Sequence, residues 1–123
     1  MNTLVAVYGT LKKSHGNSHL LKDSLFIGKG KTEKNFALYR SGIPFVTKTE
    51  EVSPIVVEVY SVDESTLENL DALEGHPNWY VREQTSIIMD EDGHKLNAYL
   101  YFNDEEVISR KEFLDLVETG NYV

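Results

Sequence analysis

Glu74 sits in the stretch Leu73-Glu74-Gly75-His76-Pro77, at the end of an apolar helical stripe and directly before a helix-stopping glycine. A helix C-terminus carries partial negative charge, so a carboxylate is poorly placed there for stability. Trp79 and Tyr80 follow closely and could desolvate it. Both effects disfavour the anion and raise the pKa. A glutamate raised toward neutrality suits general acid–base catalysis. The bland alternative is an exposed side chain at a frayed helix end. A second candidate is the run Val5-Ala6-Val7-Tyr8-Gly9-Thr10-Leu11, where an apolar strand stops at an aromatic, a glycine and a hydroxyl. Gly9 would let the backbone approach a ligand. N–H groups around Thr10 and Leu11 could then meet a carboxylate or a developing oxyanion. The alternative is a plain turn.

Other spacings carry less. Gly28-Lys29-Gly30-Lys31-Thr32 ends like a phosphate-binding loop, but Leu25 stands where that motif needs a glycine. A bend or bulge in a strand is the better reading. His15 and His19 have the spacing of two metal ligands on one helix face. His76 and His94 have no acidic partner at a recognisable offset, so exposed histidines and no metal are expected. No Gly-x-Ser-x-Gly elbow is present. Glu50-Glu51 and Asp90-Glu91-Asp92 read as solvated loop surface.

These residues need a scaffold. With 123 residues, 41% hydrophobic and 26% charged, the chain reads as one globular domain over residues 1–123. A formal charge of −8 argues against nucleic acid as the main partner. The absence of cysteine excludes disulfides, thiolate metal sites and a cysteine nucleophile. No signal peptide and no membrane-spanning run is legible, so a cytoplasmic protein is expected.

Strands are predicted at Thr3 to Tyr8, Leu25 to Lys31, Asn35 to Arg40 and Pro54 to Val62, with a hairpin from Trp79 to Met89 and Lys95 to Phe102 around Asp90 to Gly93. Asn17 to Lys22 reads as a short helical turn that Asn17 could cap, and Ser41 to Pro44 as a turn. One helix follows Asp63 as N-cap, with Val62 and Leu67 as a staple, Leu67, Leu70 and Leu73 as its stripe, and Gly75 as its stop. Another is expected near Ser109, with Glu112 at capping-box spacing, a buried face of Phe113, Leu116 and Val117, and its end at Gly120. Many strands with two or three short helices and no regular βαβ alternation predict an α+β fold, a mixed sheet curled toward a small barrel.

The segments VYGTLKKSHGNSHLL and LENLDALEGHPNWYVRE together resemble the γ-glutamylcyclotransferase-like superfamily, closest to its γ-glutamylamine cyclotransferase branch. The first carries the Tyr-Gly-Thr-Leu loop, then Gly16, Asn17, Leu20 and Leu21. The second carries Leu70, Asp71, Glu74, Gly75, Pro77, Tyr80 and Arg82. Weaker echoes are Gly42 and Pro44, Glu58 and Tyr60, Ala98 and Tyr101, and Gly120-Asn121-Tyr122.

The resemblance implies a barrel-like fold with a cavity and no cofactor. Glu74 would be the acid/base. Tyr8, Gly9, Thr10, Leu11, Asn17, Tyr80, Arg82 and Tyr101 would bind substrate, although Arg82 reads better as a partner of Asp71. The implied reaction releases 5-oxoproline and an amine from a γ-glutamyl amine or amino acid. The implied partner is that small molecule, with no nucleic acid or membrane, and the protein a monomer or weak homodimer. A non-catalytic binding member of the same fold and a γ-glutamyl amidase are the competing readings. Val57, Ile43 and Trp79 depart from the family pattern near the expected pocket walls, which bears on substrate choice more than on chemistry.

Overall fold

The computed structural model describes residues 2–9, 12 and 18–123. Five strands close a barrel: β1 (Thr3–Val7), β2 (Leu25–Thr32), β5 (Val56–Val62), β6 (Val81–Met89) and β7 (Lys95–Phe102), in the order β1-β5-β2-β6-β7. Every pairing is antiparallel except the seam, where β1 runs parallel to β7 with Val5 opposite Tyr99. Beside the barrel lies a sheet of β3 (Ala37–Ser41), β4 (Ile43–Thr47) and β8 (Asp115–Leu116), in the order β4-β3-β8. Helix α1 (Glu64–Glu74) follows β5, and α2 (Asp104–Arg110) follows β7.

Alternation along the strands sorts the side chains into two packed layers. Ala6, Val57, Val59, Ile87, Ala98 and Leu100 belong to the inward-facing cluster. Val5, Val7, Tyr60, Val62 and Tyr101 face the other way and pack with Leu70 of α1. The predicted split of β5, with Ile55, Val57 and Val59 opposed to Tyr60, is the one observed. The glycine-spaced segment lies in β2, where the register shifts between Phe26 and Gly28, as a bulge requires.

Two elements differ from the expectation. The predicted turn at Ser41 to Pro44 is shorter, and Pro44 belongs to strand β4, opposite Arg40. A proline cannot donate to a ladder, but β4 is an edge strand with no strand on its outer side among the described residues. The last helix does not begin at Ser109. It begins six residues earlier, where the Asn103 side chain accepts a hydrogen bond from the Glu106 N–H at 3.1 Å. Asp104, Glu105 and Glu106 fill its first turn, the end where a helix favours anions. Phe113 and Leu116, expected in a buried face, are exposed instead. His94 and Asp92 are exposed as expected, but they pair with each other. Glu50, expected as solvated surface, is partly buried, accepts from the Tyr39 hydroxyl at 2.6 Å and pairs with Lys111 at 2.9 Å. No helix among the described residues is long and apolar enough to cross a membrane.

Candidate active site

The seam of the barrel opens into the site. Val5 opposite Tyr99 is the one register pair of β1 with β7 among the described residues. Past it, Ala6 to Gly9 and the Tyr101 side chain line a cavity of about 190 Å³. Ile43 and Pro44, at the start of β4, form a second wall. Leu73 and Glu74 at the end of α1, with Trp79 and Tyr80 just beyond, form the third.

Capping fixes where α1 delivers Glu74. Asp63 accepts from the Thr66 N–H at 2.7 Å and starts the helix. Gly75, with φ +66°, ends it in the left-handed conformation typical of helix C-termini. The His76 N–H donates to the Asp71 carbonyl at 2.9 Å. The chain then doubles back through a cis His76–Pro77 peptide. The Tyr80 N–H donates to the Glu74 carbonyl at 3.1 Å, which brings Trp79 and Tyr80 over the glutamate. Trp79 meets both Tyr80 and Phe45 edge-on, and Phe45 stacks on Tyr80 at 5.8 Å.

Glu74 is half-buried as a residue because the cavity is open. Its carboxyl group is nonetheless crowded by protein, and burial alone pushes its pKa from the ordinary 4.5 up to about 7. Desolvation penalises the anion when nothing compensates it. Among the described residues no cation and no hydrogen-bond donor is aimed at this carboxylate.

The surrounding tyrosines explain why. Tyr8 donates its hydroxyl proton to the Tyr101 carbonyl at 2.8 Å. Tyr80 donates to the Pro44 carbonyl at 2.6 Å, and Tyr101 donates to Asp71 Oδ1 at 2.6 Å. A phenol has one proton to give. All three are committed away from Glu74, so these hydroxyls offer the cavity only lone pairs. Each has a raised pKa, through burial first, with the Glu74 charge contributing. The site is thus rich in acceptors and complementary to a donor such as an ammonium group.

Gly9 is constrained by space. A Cβ there would lie 2.5 Å from Pro44 Cγ, inside van der Waals contact. The glycine lets β1 and the start of β4 close on each other at the cavity wall.

Of the predicted site residues, the structure brings Tyr8, Gly9, Glu74, Tyr80 and Tyr101 around one cavity. Thr10, Leu11 and Asn17 lie outside the described residues. Arg82 does not line the cavity. Its Nε donates to Asp71 Oδ1 at 2.9 Å, and its guanidinium sits 4.7 Å from the Tyr99 ring centre. Burial would raise the Asp71 pKa, but the hydrogen bonds from Arg82 and Tyr101 outweigh it and hold the carboxyl below its usual range. Arg82 and Asp71 together therefore fix the Tyr101 hydroxyl. Pro44 escaped sequence reasoning as a wall and as a hydrogen-bond acceptor. Its carbonyl leaves no trace in the sequence, and Ser41-Gly42-Ile43-Pro44 has the pattern of a turn.

A family model described as gamma-glutamyl cyclotransferase, AIG2-like, matches residues 5–123. The chain belongs to this family. A protein of Methanocaldococcus jannaschii, provisionally named a gamma-glutamylcyclotransferase, is 48% identical over 96% of this chain and 93% of its own. The zebrafish gamma-glutamylaminecyclotransferase B is 41% identical over 64% of this chain and 46% of its own. The crystal structure of a mouse AIG2-like protein superposes with a TM-score of 0.78 at 28% identity, covering 83% of this chain and 77% of that one. The closed barrel with its two helices is the α+β fold of that family.

Proposed function

We propose that this protein is a γ-glutamylcyclotransferase that releases 5-oxoproline and a free amine from a γ-glutamyl amine or γ-glutamyl amino acid. The observation that carries this reading is Glu74. A carboxyl group held near neutrality by burial lines the same cavity as three tyrosines whose hydroxyl protons are committed elsewhere.

The substrate's α-ammonium enters the acceptor-rich space beside Glu74. The Glu74 carboxylate takes one proton from it, and a pKa of about 7 suits both acceptance and return. The freed α-amine attacks the substrate's own γ-carbonyl, forming the ring C–N bond. Because nucleophile and electrophile share one molecule, the site has chiefly to fold the substrate into an attacking pose. The carbonyl oxygen becomes an anion, and backbone N–H groups at the Tyr8–Gly9 wall of the cavity meet it. Glu74 then returns the proton to the departing nitrogen as the old C–N bond breaks, and the second proton that the new ring nitrogen must lose passes to the released amine, which leaves as an ammonium. Atoms balance without water or a cofactor. Ile43, Leu73 and Trp79 put apolar surface on the cavity lining, which favours an apolar substituent on the departing nitrogen.

The test incubates the purified protein with a panel of γ-glutamyl amines and γ-glutamyl amino acids and follows products by mass spectrometry, with Glu74→Gln as control. 5-Oxoproline from the wild type alone is expected. Free glutamate would indicate hydrolysis instead. Ligand-induced stabilisation with no product would indicate a binding protein.

A further inference from the structure

Lys12 is an unusual lysine. Only 8% of its surface is exposed, whereas lysine is almost never fully buried unless it is paired. Its ammonium donates to Asn121 Oδ1 at 3.1 Å and to the Tyr122 carbonyl at 2.8 Å. Glu58, buried in β5 and accepting from the Tyr60 hydroxyl at 3.1 Å, supplies a favourable charge. Burial nonetheless lowers the Lys12 pKa. At its other end, the Lys12 N–H donates to the Gly9 carbonyl at 3.0 Å. One residue therefore ties the cavity wall at Gly9 to the segment after Gly120.

That segment is itself firmly seated. The Gly120 carbonyl accepts from the Val56 N–H at 2.8 Å. Gly120 has φ +71°, and a Cβ there would lie 2.0 Å from the Pro54 carbonyl oxygen, so glycine is required for the close approach. Tyr122 packs against the cluster that contains Tyr8. The segment thus reaches the cavity wall through Lys12 and packs against the cluster to which Tyr8 belongs.

We propose that Lys12, held by Asn121 and Tyr122, is a positioning residue that fixes the Gly9 wall of the active site, so that the segment Gly120–Tyr122 sets substrate affinity without touching substrate. This rests on the cyclotransferase reading for its effect on turnover, but not for its effect on the backbone. The ammonium would act as a strut. Without its acceptors a buried lysine must find water, and the Gly9–Lys12 hydrogen bond must loosen with it.

Two variants of Asn121 test this. Asn121→Leu removes one of the two acceptors of the ammonium at similar size and leaves the Tyr122 carbonyl, whereas Asn121→Asp keeps both. Amide hydrogen exchange, read residue by residue by NMR, reports on the strut whether or not the protein has activity. The Lys12 amide should exchange about tenfold faster in Asn121→Leu. It should stay near wild type in Asn121→Asp, with the amides of β5 and β7 unchanged in both. Where the wild type turns over a γ-glutamyl compound, Asn121→Leu should also raise KM several-fold with little change in kcat, as loss of binding geometry does. Unchanged Lys12 exchange in Asn121→Leu overturns the strut. Faster exchange with KM unchanged overturns its role in affinity. A wild type inactive on every substrate would defeat the cyclotransferase reading and leave the exchange result to decide the strut alone.

Discussion

Glu74→Gln should abolish turnover and, above neutral pH, make the protein more stable. The reason is the missing partner for the carboxylate. In the folded state Glu74 keeps its proton up to about pH 7, whereas the unfolded chain releases it near the ordinary 4.5. Between those values the folded state binds more protons than the unfolded one, so stability falls as pH rises. The contribution of the protonated carboxyl is complete below the unfolded value and is lost once pH has passed the folded one. The gap corresponds to about 3 kcal/mol. Glutamine has the shape of the protonated acid and no proton to lose, so it escapes this penalty.

Urea denaturation of both proteins at about pH 4.5, 6 and 8 measures the difference directly. The two should be nearly equal in acid. The variant should gain steadily through the middle of the range and lead by about 3 kcal/mol at the top, or about 10 °C in Tm. Every other titrating group is common to both proteins and cancels. A difference that stays flat with pH would show that the carboxyl is not desolvated. A wild type that gains on the variant as pH rises would show a hidden cation or donor at the carboxylate. Either result would remove the physical basis for treating Glu74 as a base poised near neutrality.

If Glu74 must be ionised to take the ammonium proton, kcat/KM on an active substrate should fall on the acid side with a midpoint near 7, the raised value of that carboxyl; an acid limb near the ordinary glutamate value would contradict this. Gly9→Ala places a methyl carbon 2.5 Å from Pro44 Cγ, which should cost about 1–3 kcal/mol in thermal or urea melts and most of the activity. Asp71→Asn removes the charge that holds Arg82 and the Tyr101 hydroxyl. It should cost about 1–3 kcal/mol at neutral pH, and because the Asp71 pKa is held low, the deficit should shrink only as pH falls below the usual carboxylate range.

What could be read from the sequence was local, and what could not be read depended on distant contacts. The caps of α1 were legible because Asp63, Thr66 and Gly75 lie within one helix of each other, and that alone placed Glu74 at a helix end. The pairing of Arg82 with Asp71 was legible because charges of opposite sign flank the same turn. Strand β4 was hidden by Pro44, since nothing in Ser41-Gly42-Ile43-Pro44 says that the following strand lies at a sheet edge where a missing donor is harmless. The second helix was misplaced because Ser109 and Glu112 have capping-box spacing, but Asn103 followed by three acidic residues is the stronger start and wins the competition for the chain. The sharpest difference concerns the cause of the Glu74 pKa. The sequence offered two causes, the negative end of a helix and an aromatic surround. The folded protein leaves desolvation as the one that acts, and it does so through bonds the sequence could not show. Tyr8, Tyr80 and Tyr101 come from three distant segments, and each spends its only proton on a neighbour. None of the three donates to the carboxylate, so desolvation acts on it without compensation. A base poised near neutrality in this fold is therefore a property of the tyrosine network as much as of the glutamate.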